Sequence, residues 1–279
     1  MIYDMTDRVH ECWEYFDKLL DERIAEISKR SGVPLENFVK INPADHIEKS
    51  KYQIIRDHEY TKIGKWIAEH KKDDQTFLIS PLDAIEETAA QISYKSGTQI
   101  ERKLRASKCE VVPCPPALAL DFFIRNHRQS LPNVRSTAVC YGLTYHGELV
   151  AVMLYDITDG GVRGNKKKNY ELVRLSISKG TMIHGGASKL EAACEDTIRS
   201  MGVHEIYSYS NATINSGAVY EKLGFDGSKV DNGQPFVILK NNEIVRLLTL
   251  HPASTDEALA MRGQLKSHVG GNRIWVKKI

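Results

Sequence analysis

The chain has 279 residues, 42% hydrophobic and 27% charged, with a formal net charge of +2. These values predict a globular protein with one large domain or two modest ones, and they exclude nucleic-acid binding driven by overall charge. Five cysteines without a CxxC pair favour free thiols in a reducing compartment, so we expect a cytoplasmic protein. No segment has the apolar length of a membrane span, and charges within the N-terminal apolar run argue against a signal peptide.

The first hundred residues have mainly helical patterns. Apolar residues recur at three-to-four spacing over 5–30, which predicts one long helix. The segment "SPLDAIEETAAQI" predicts a second helix, with Ser80 as its N-cap and Pro81 in its first position. A short strand is expected at 76–79. We therefore predict a mostly helical N-terminal region over residues 1–106.

A polar, basic stretch, "SYKSGTQIERKLRASK", follows these helices. Its change of composition places a domain boundary here, with a second domain over 107–279. Two interpretations are open: a solvated linker between domains, or a strip of side chains that contacts phosphates.

From Cys109 onward, strand and helix patterns alternate. The predicted order is strand, helix, hairpin, strand, helix, strand, helix and strand, which is a mixed α/β layer architecture. The hairpin turns at His146–Gly147. The helix after Gly186 is expected to end at Gly202 and to bury Leu190, Ala193, Cys194, Ile198 and Met201.

The stretch "HGGASK" lies between a predicted strand and that helix. Backbone amides in the first turn of a helix have no intrahelical acceptor, and the helix dipole favours an anion there. Glycines leave room for a phosphate and allow unusual backbone angles. The segment therefore predicts either a pyrophosphate site or a plain tight turn. The amides would come from Gly185, Gly186, Ala187 and Ser188, with charge added by Lys189.

A second motif, "NSGAVYEKLGF" at residues 215–225, resembles a signature of the GNAT superfamily of acyl-CoA-dependent N-acyltransferases. The resemblance covers roughly residues 107–240. It implies a mixed central sheet flanked by helices, with acetyl-CoA or another acyl-CoA as cosubstrate. One departure is Met182, which stands where the superfamily's pyrophosphate motif usually opens with Arg or Gln.

A narrower resemblance is to phage-encoded GNAT-like proteins, including Mom-type DNA-modification enzymes. It depends on "ASKCEVVP", "FIRNHRQ", "YELVRLSISKG", "SYSNATINSGAVYEKLGF" and, near the C-terminus, "GNRIW". This resemblance implies a bacteriophage protein in the host cytoplasm that acts on the amine of a DNA base or modified nucleotide.

Tyr220 is the candidate general acid, because a phenol near the sulfur can protonate the departing thiolate. The strand at 171–178 would polarise the thioester carbonyl through a backbone amide of Leu175, Ser176 or Ile177. Glu171 and His127 are candidates for the general base. Glu171 could instead form an ion pair with a loop lysine, and His127 could be an ordinary surface histidine.

Arg174 and Asn211 are candidate substrate contacts, although Arg174 could pair with Glu171 and Asn211 could be a cap. Lys167 belongs to a basic run at 166–168 that would contact the backbone of a DNA substrate, unless these are ordinary solvated lysines. No metal-ligand spacing is present. The alternatives to a DNA-base acceptor are a protein or small-molecule amine, or a non-catalytic module that binds nucleic acid or a partner protein.

Overall fold

The computed structural model describes residues 5–40, 76–79, 83–98, 100–127, 131–157, 170–230, 234–238, 244–246, 262, 264–269 and 272–279. Within these ranges the helices are α1 (Met5–Ser31), α2 (Ile85–Ser96), α3 (Pro116–Asn126), α4 (Gly186–Ser200) and α5 (Ala218–Lys222). The strands are β1 (Phe38–Lys40), β2 (Phe77–Ile79), β3 (Arg102–Arg105), β4 (Glu110–Pro113), β5 (Val139–Tyr145), β6 (Glu148–Ile157), β7 (Tyr170–Ile177), β8 (Thr181–His184), β9 (Glu205–Asn211), β10 (Asp226–Val230), β11 (Gln234–Ile238), β12 (Ile244–Arg246), β13 (Leu265–Val269) and β14 (Asn272–Lys278).

Contacts between residues group the chain into two compact units. One comprises Met1–Thr98, Asn211–Ser216 and Val230–Arg273, and the other Gln99–Ser210, Gly217–Lys229 and Ile274–Ile279. Each unit is therefore built from separated segments of the chain. The division at residue 106 inferred from composition stays a prediction.

The first unit has its own apolar core. Residues of α1, α2, β1 and β2 pack together there, and Ile214 joins them. Strands β1 and β2 pair in parallel, and β11 pairs antiparallel with both β12 and β13. The long helix of the prediction is confirmed. The second helix was placed too early, because it begins at Ile85 after an extended Ala84, and Glu86 and Glu87 in its first turn complement the helix dipole.

The second unit contains a seven-stranded sheet in the order β10-β14-β9-β7-β6-β5-β4. The side chains of β6 alternate between two cores. Ala151, Met153 and Tyr155 pack with buried residues of α4, whereas Val152 and Leu154 pack with buried residues of α3. Helices therefore cover both faces of the sheet. This confirms the predicted mixed central sheet flanked by helices.

The hairpin between β5 and β6 turns at His146 and Gly147, as predicted. Both residues have positive φ angles, 51° and 80°, which suits a two-residue turn between twisted strands. Helix α3 begins at a pair of prolines, with Pro115 as its N-cap and Pro116 as its first residue, where the missing backbone N–H costs no intrahelical bond.

Strand β7 has two irregularities that position the site. In its pairing with β6, Leu172 lies opposite Tyr155 and Arg174 lies opposite Leu154, so Val173 is an extra residue in a β-bulge. On its other edge, β7 pairs in parallel with β9 at only two positions, Tyr170 with Ile206 and Glu171 with Tyr207. Beyond residue 171 the two strands have no further paired positions, which leaves an opening between them.

The basic stretch before Cys109 is not a linker. Residues 102–105 form β3, which pairs in parallel with β8. Leu104 is buried, and Arg102 forms an ion pair with Glu148 and stacks over the ring of Tyr145. Pairing with a distant strand, rather than its own apolar pattern, makes this segment a strand.

The packing of α4 differs from the prediction at two positions. Leu190, Cys194 and Ile198 are buried as expected, but Ala193 is only half-buried, and Met201 lies after the helix and is 52% exposed. Gly202 follows with a φ angle of 75° and ends the helix, as predicted. Among the described helices, none is both long enough and apolar enough to cross a membrane.

Candidate functional site

Tyr220 lies on the short helix α5, with its ring held between two other aromatic side chains. The ring stacks on Trp275, with centroids 4.9 Å apart and planes inclined by 10°, and it meets the edge of Phe225 at 5.9 Å. The Tyr220 hydroxyl donates to the carbonyl oxygen of Tyr209 at 3.4 Å and accepts from the Ser208 hydroxyl at 3.4 Å. Tyr220 is therefore fixed by its ring, while its hydroxyl makes only long hydrogen bonds.

Trp275 on β14 supports Tyr220 and is fully buried. Its indole N–H donates to the Ser210 hydroxyl at 2.8 Å. Two glycines leave room for the indole ring, because a Cβ atom would lie 2.0 Å from it at Gly217 and 2.2 Å from it at Gly227. In the sequence, "GNRIW" indicates only a family resemblance and does not predict this role of Trp275. The two glycines were the available signal.

The hydroxyl of Tyr220 lies at the base of the opening between β7 and β9. Just beyond their last paired position, the single hydroxyl hydrogen of Ser208 on β9 is shared between the Tyr220 hydroxyl and the carbonyl oxygen of Leu172 on β7, which lies closer, at 2.9 Å. At this position a side-chain hydroxyl, rather than a backbone N–H of β9, bonds the carbonyl oxygen of β7. Leu175, Ser176 and Ile177, the predicted carbonyl-polarising residues, follow on the part of β7 that has no paired position on β9.

The structure brings Glu171, Arg174 and Tyr220 within electrostatic range of one another. Burial raises the pKa of the Glu171 carboxyl, and the Arg174 guanidinium partly opposes that rise. Burial also raises the pKa of Tyr220, while the Ser208 hydrogen bond and Arg174 lower it and Glu171 raises it. A carboxyl with a raised pKa suits a base near neutral pH, and a protonated phenol suits an acid.

The glycine turn precedes α4 as predicted, but a strand that was not predicted, β8, leads into it. Gly185 has a φ angle of 76°, which favours glycine. Gly186 is buried, and a Cβ atom there would lie 3.0 Å from the Ile183 side chain. No side-chain cap bonds the first-turn amides of α4, so those of Ala187 and Ser188 remain candidates for an anion.

Lys189 makes backbone contacts that the sequence did not predict. Its ammonium group donates to the carbonyl oxygens of Ala106 and Cys109, at 3.0 and 2.6 Å. It therefore binds the short turn after β3, and a Cβ atom at Gly185 would lie 3.7 Å from Ala106 in that same turn. A second cationic side chain lies near the glycine turn in the strand pairing. Arg105 of β3 pairs with His184, the residue just before Gly185, and both side chains are exposed.

The structure also describes contacts of His127 and Asn211. His127 follows α3 and meets the ring of Phe123 edge-on at 6.3 Å. Asn211 ends β9, and its side-chain oxygen accepts hydrogen bonds from the amide and hydroxyl of Thr213, at 2.9 and 2.6 Å. That arrangement is the cap considered above. Lys167 and the rest of the basic run at 166–168 lie outside the described residues.

A buried charged network joins α4 to β14, and sequence reasoning missed it. Glu191 is 4% exposed; it accepts from the Tyr155 hydroxyl at 2.5 Å and from Lys277 at 3.0 Å. Burial lowers the pKa of Lys277, but hydrogen bonds to Glu195 and Glu191 more than reverse this, so the folded pKa is raised. The network anchors the strand that carries Trp275. The described residues contain no group of three His, Cys, Asp or Glu that could hold a metal.

No protein-family model matches the sequence, and no curated protein matches it. Several solved acetyltransferases resemble the structure. The ribosomal-protein-S18-alanine N-acetyltransferase from Escherichia coli is 14% identical, with a TM-score of 0.40 over 61% of this chain and 94% of that one. An acetyltransferase from Bacillus subtilis in complex with CoA is 13% identical, with a TM-score of 0.39 over 62% and 98%.

A GNAT family acetyltransferase from Elizabethkingia anophelis with acetyl-CoA bound is 9% identical, with a TM-score of 0.36 over 62% of this chain and 99% of that one. In all three comparisons both the sequence identity and the TM-score are low.

Proposed function

We propose that this chain is a GNAT-type N-acyltransferase that moves an acyl group from CoA to an amine. The observation that carries the proposal is the position of the Tyr220 hydroxyl, at the point where β7 and β9 stop pairing and within electrostatic range of Glu171. An opening between two strands exposes unpaired backbone groups, which can bind an extended, amide-containing chain such as the pantetheine arm of CoA.

The glycine turn supports the same donor. The first-turn amides of α4 have no side-chain cap, and Arg105 of the neighbouring strand pairs with His184, the residue just before the turn. Backbone amides and a nearby cation together suit a pyrophosphate. This cation would take the place of the one that is missing at Met182.

Each of these groups has one role in the proposed reaction. Glu171 takes a proton from the acceptor amine, directly or through water, and the amine nitrogen bonds to the thioester carbon. A backbone amide of β7 near Leu175–Ile177 stabilises the oxyanion. Tyr220 donates its proton to the thiolate sulfur as the carbon–sulfur bond breaks. The products are an amide and free CoA, so atoms and charge balance.

For the acceptor, we propose the amine of a DNA base or nucleotide. The narrower sequence resemblance supports it, together with the lysine run at 166–168. The competing acceptors are a lysine side chain and a small amine.

The test is to incubate the protein with acetyl-CoA and, separately, double-stranded DNA, deoxynucleotides, a lysine peptide or butylamine, and to weigh the products. The mass gain of one acetyl group on any acceptor is the expected result, and the identity of that acceptor decides between the alternatives. If no product forms and DNA, but not CoA, raises the melting temperature, the chain is a binding module instead.

A matched pair of variants tests the donor site. Gly185 and Gly202 flank the same helix with φ angles of 76° and 75°, so alanine strains the backbone equally at both. We expect G185A to weaken CoA binding about tenfold relative to G202A, measured by calorimetric titration. Equal affinity in the two variants would exclude the glycine turn as the pyrophosphate site.

A further inference from the structure

The hydroxyl of Tyr207 is buried without a hydrogen-bond partner. Tyr207 lies on β9 and is 3% exposed, and its hydroxyl finds no donor or acceptor in the described part of the chain. Burying a hydroxyl without a partner costs free energy, so native proteins rarely leave one unless a ligand or water completes it. Tyr155, on β6, is equally buried but donates its hydroxyl to Glu191 at 2.5 Å.

The alternation of side chains along β9 shows which face Tyr207 occupies. Ser208 and Ser210 contact Tyr220 and Trp275, and Ile206 packs into the core formed with α4. Tyr207 therefore lies on the opposite face, together with Tyr209, whose ring it meets at 6.5 Å.

Glu171 lies on this same face, directly across the strand pair from Tyr207. Its partner on β6 is Asp156, which alternates with Tyr155 and so shares a face with Leu154 in the core formed with α3. The hydroxyl and the carboxylate thus belong to the last paired position before β7 and β9 separate. They lie on the face away from α4 and its glycine turn.

We infer that Tyr207 and Glu171 form an amine-acceptor subsite, in which the Tyr207 hydroxyl oxygen accepts a hydrogen bond from the acceptor nitrogen. The inference rests on the proposed function and names one of its substrate contacts. A neutral primary amine has two N–H donors, so one can bond the phenol oxygen and the other the carboxylate while the nitrogen lone pair stays free. As the lone pair attacks the thioester carbon, Glu171 takes the proton of the N–H that faces it, and the remaining N–H still donates to Tyr207 and becomes the amide N–H.

This arrangement selects primary amines over alcohols. An alcohol has a single O–H donor, so it would lose its bond to Tyr207 whenever it bonded Glu171. Tyr207 is therefore a specificity-determining residue rather than an acid or base.

The test compares Y207F with Y155F, because the two tyrosines are equally buried and differ in whether the hydroxyl is bonded. Without ligand, we expect Y207F to melt at or above the wild-type temperature and Y155F to melt several degrees lower. A fall in the melting temperature of Y207F matching that of Y155F would overturn the inference, since its hydroxyl would then have a structural partner.

The second measurement is saturation-transfer NMR of three amine probes, deoxyadenosine, a lysine peptide and butylamine, with CoA-loaded wild type and Y207F. At least one probe should bind wild type and lose most of its signal with Y207F, and any probe that is acetylated should show a KM raised about tenfold while the KM for acetyl-CoA is unchanged. Equal binding to both proteins, or no binding to wild type, would overturn the inference. Binding that depends on Tyr207 but leads to no acetylation would sustain this subsite while refuting the transferase.

Discussion

Replacing Gly217 by alanine should destabilise the second unit and displace Tyr220. Gly217 is the N-cap of α5, the helix that carries Tyr220, and its φ angle is 95°. A Cβ atom there would lie 2.0 Å from the indole ring of Trp275, which is fully buried and cannot move without disturbing its neighbours. The substitution therefore combines backbone strain with a steric clash.

The two contributions can be estimated separately. Holding an L-residue in the left-handed region costs about 1–2 kcal/mol, and forcing an extra methyl group into a packed core costs about 1–3 kcal/mol. G217A should thus lose about 2–5 kcal/mol of unfolding free energy. Gly202 has a φ angle of 75° with nothing within 4 Å of its Cβ position, so G202A should lose only the strain, about 1–2 kcal/mol.

Urea unfolding followed by tryptophan fluorescence measures both losses. Hydrogen exchange of the peptide containing residues 218–225 would show whether α5 opens earlier in G217A. Should the two variants lose equal stability, the indole does not occupy the space beside Gly217, and the stacking that positions Tyr220 would be refuted.

Three further predictions concern the reaction and the buried network. Y220F should lower kcat about 10²–10⁴-fold in steady-state kinetics, and an unchanged kcat would exclude Tyr220 as the acid. The same variant should lose less than about 1 kcal/mol of unfolding free energy, because the Tyr220 hydroxyl makes only long hydrogen bonds. R174M should shift both limbs of the pH profile of kcat/KM to higher pH, because Arg174 lowers the pKa of Glu171 and of Tyr220. Limbs that stay at the same pH would show that neither group titrates in the reaction. K277M should lose about 3–5 kcal/mol of unfolding free energy near neutral pH, because it leaves the buried Glu191 carboxylate without its cation. R199M removes an ion pair on the helix surface and should lose under about 0.5 kcal/mol. The wild-type contribution of Lys277 should be complete below the ordinary lysine pKa and disappear as pH rises through the higher folded value, and equal losses in K277M and R199M would contradict the network.

Local patterns predicted most elements of the second unit. The hairpin at His146–Gly147, the prolines that begin α3 and the apolar face of α4 each follow from a few neighbouring residues. The same holds for the glycines at 185 and 202, whose positive φ angles suit the two ends of one helix. Such features are readable because the backbone preferences of a turn or cap depend on the residues within it.

Several site residues could not be assigned from the sequence. The roles proposed for His127, Asn211 and Lys167 stay predictions. Asn211 makes the contacts of a cap and His127 meets a ring, and neither observation tests a role toward substrate, while Lys167 lies outside the described residues. Lys189 is the instructive case, because its place in the glycine motif indicated a phosphate contact. Its ammonium group instead binds two carbonyl oxygens, and one of them belongs to a residue more than eighty positions earlier in the chain.

The sequence by itself determined most of the helices and strands, the glycine turn and the choice of Tyr220, because each depends on short-range periodicity or on a motif of contiguous residues. Only the tertiary structure decided that β3 is a strand, that β7 and β9 separate after residue 171, and that Trp275 stacks on Tyr220. These are contacts between residues far apart in the chain. Their free energy comes from pairing and packing that exist only once the segments meet.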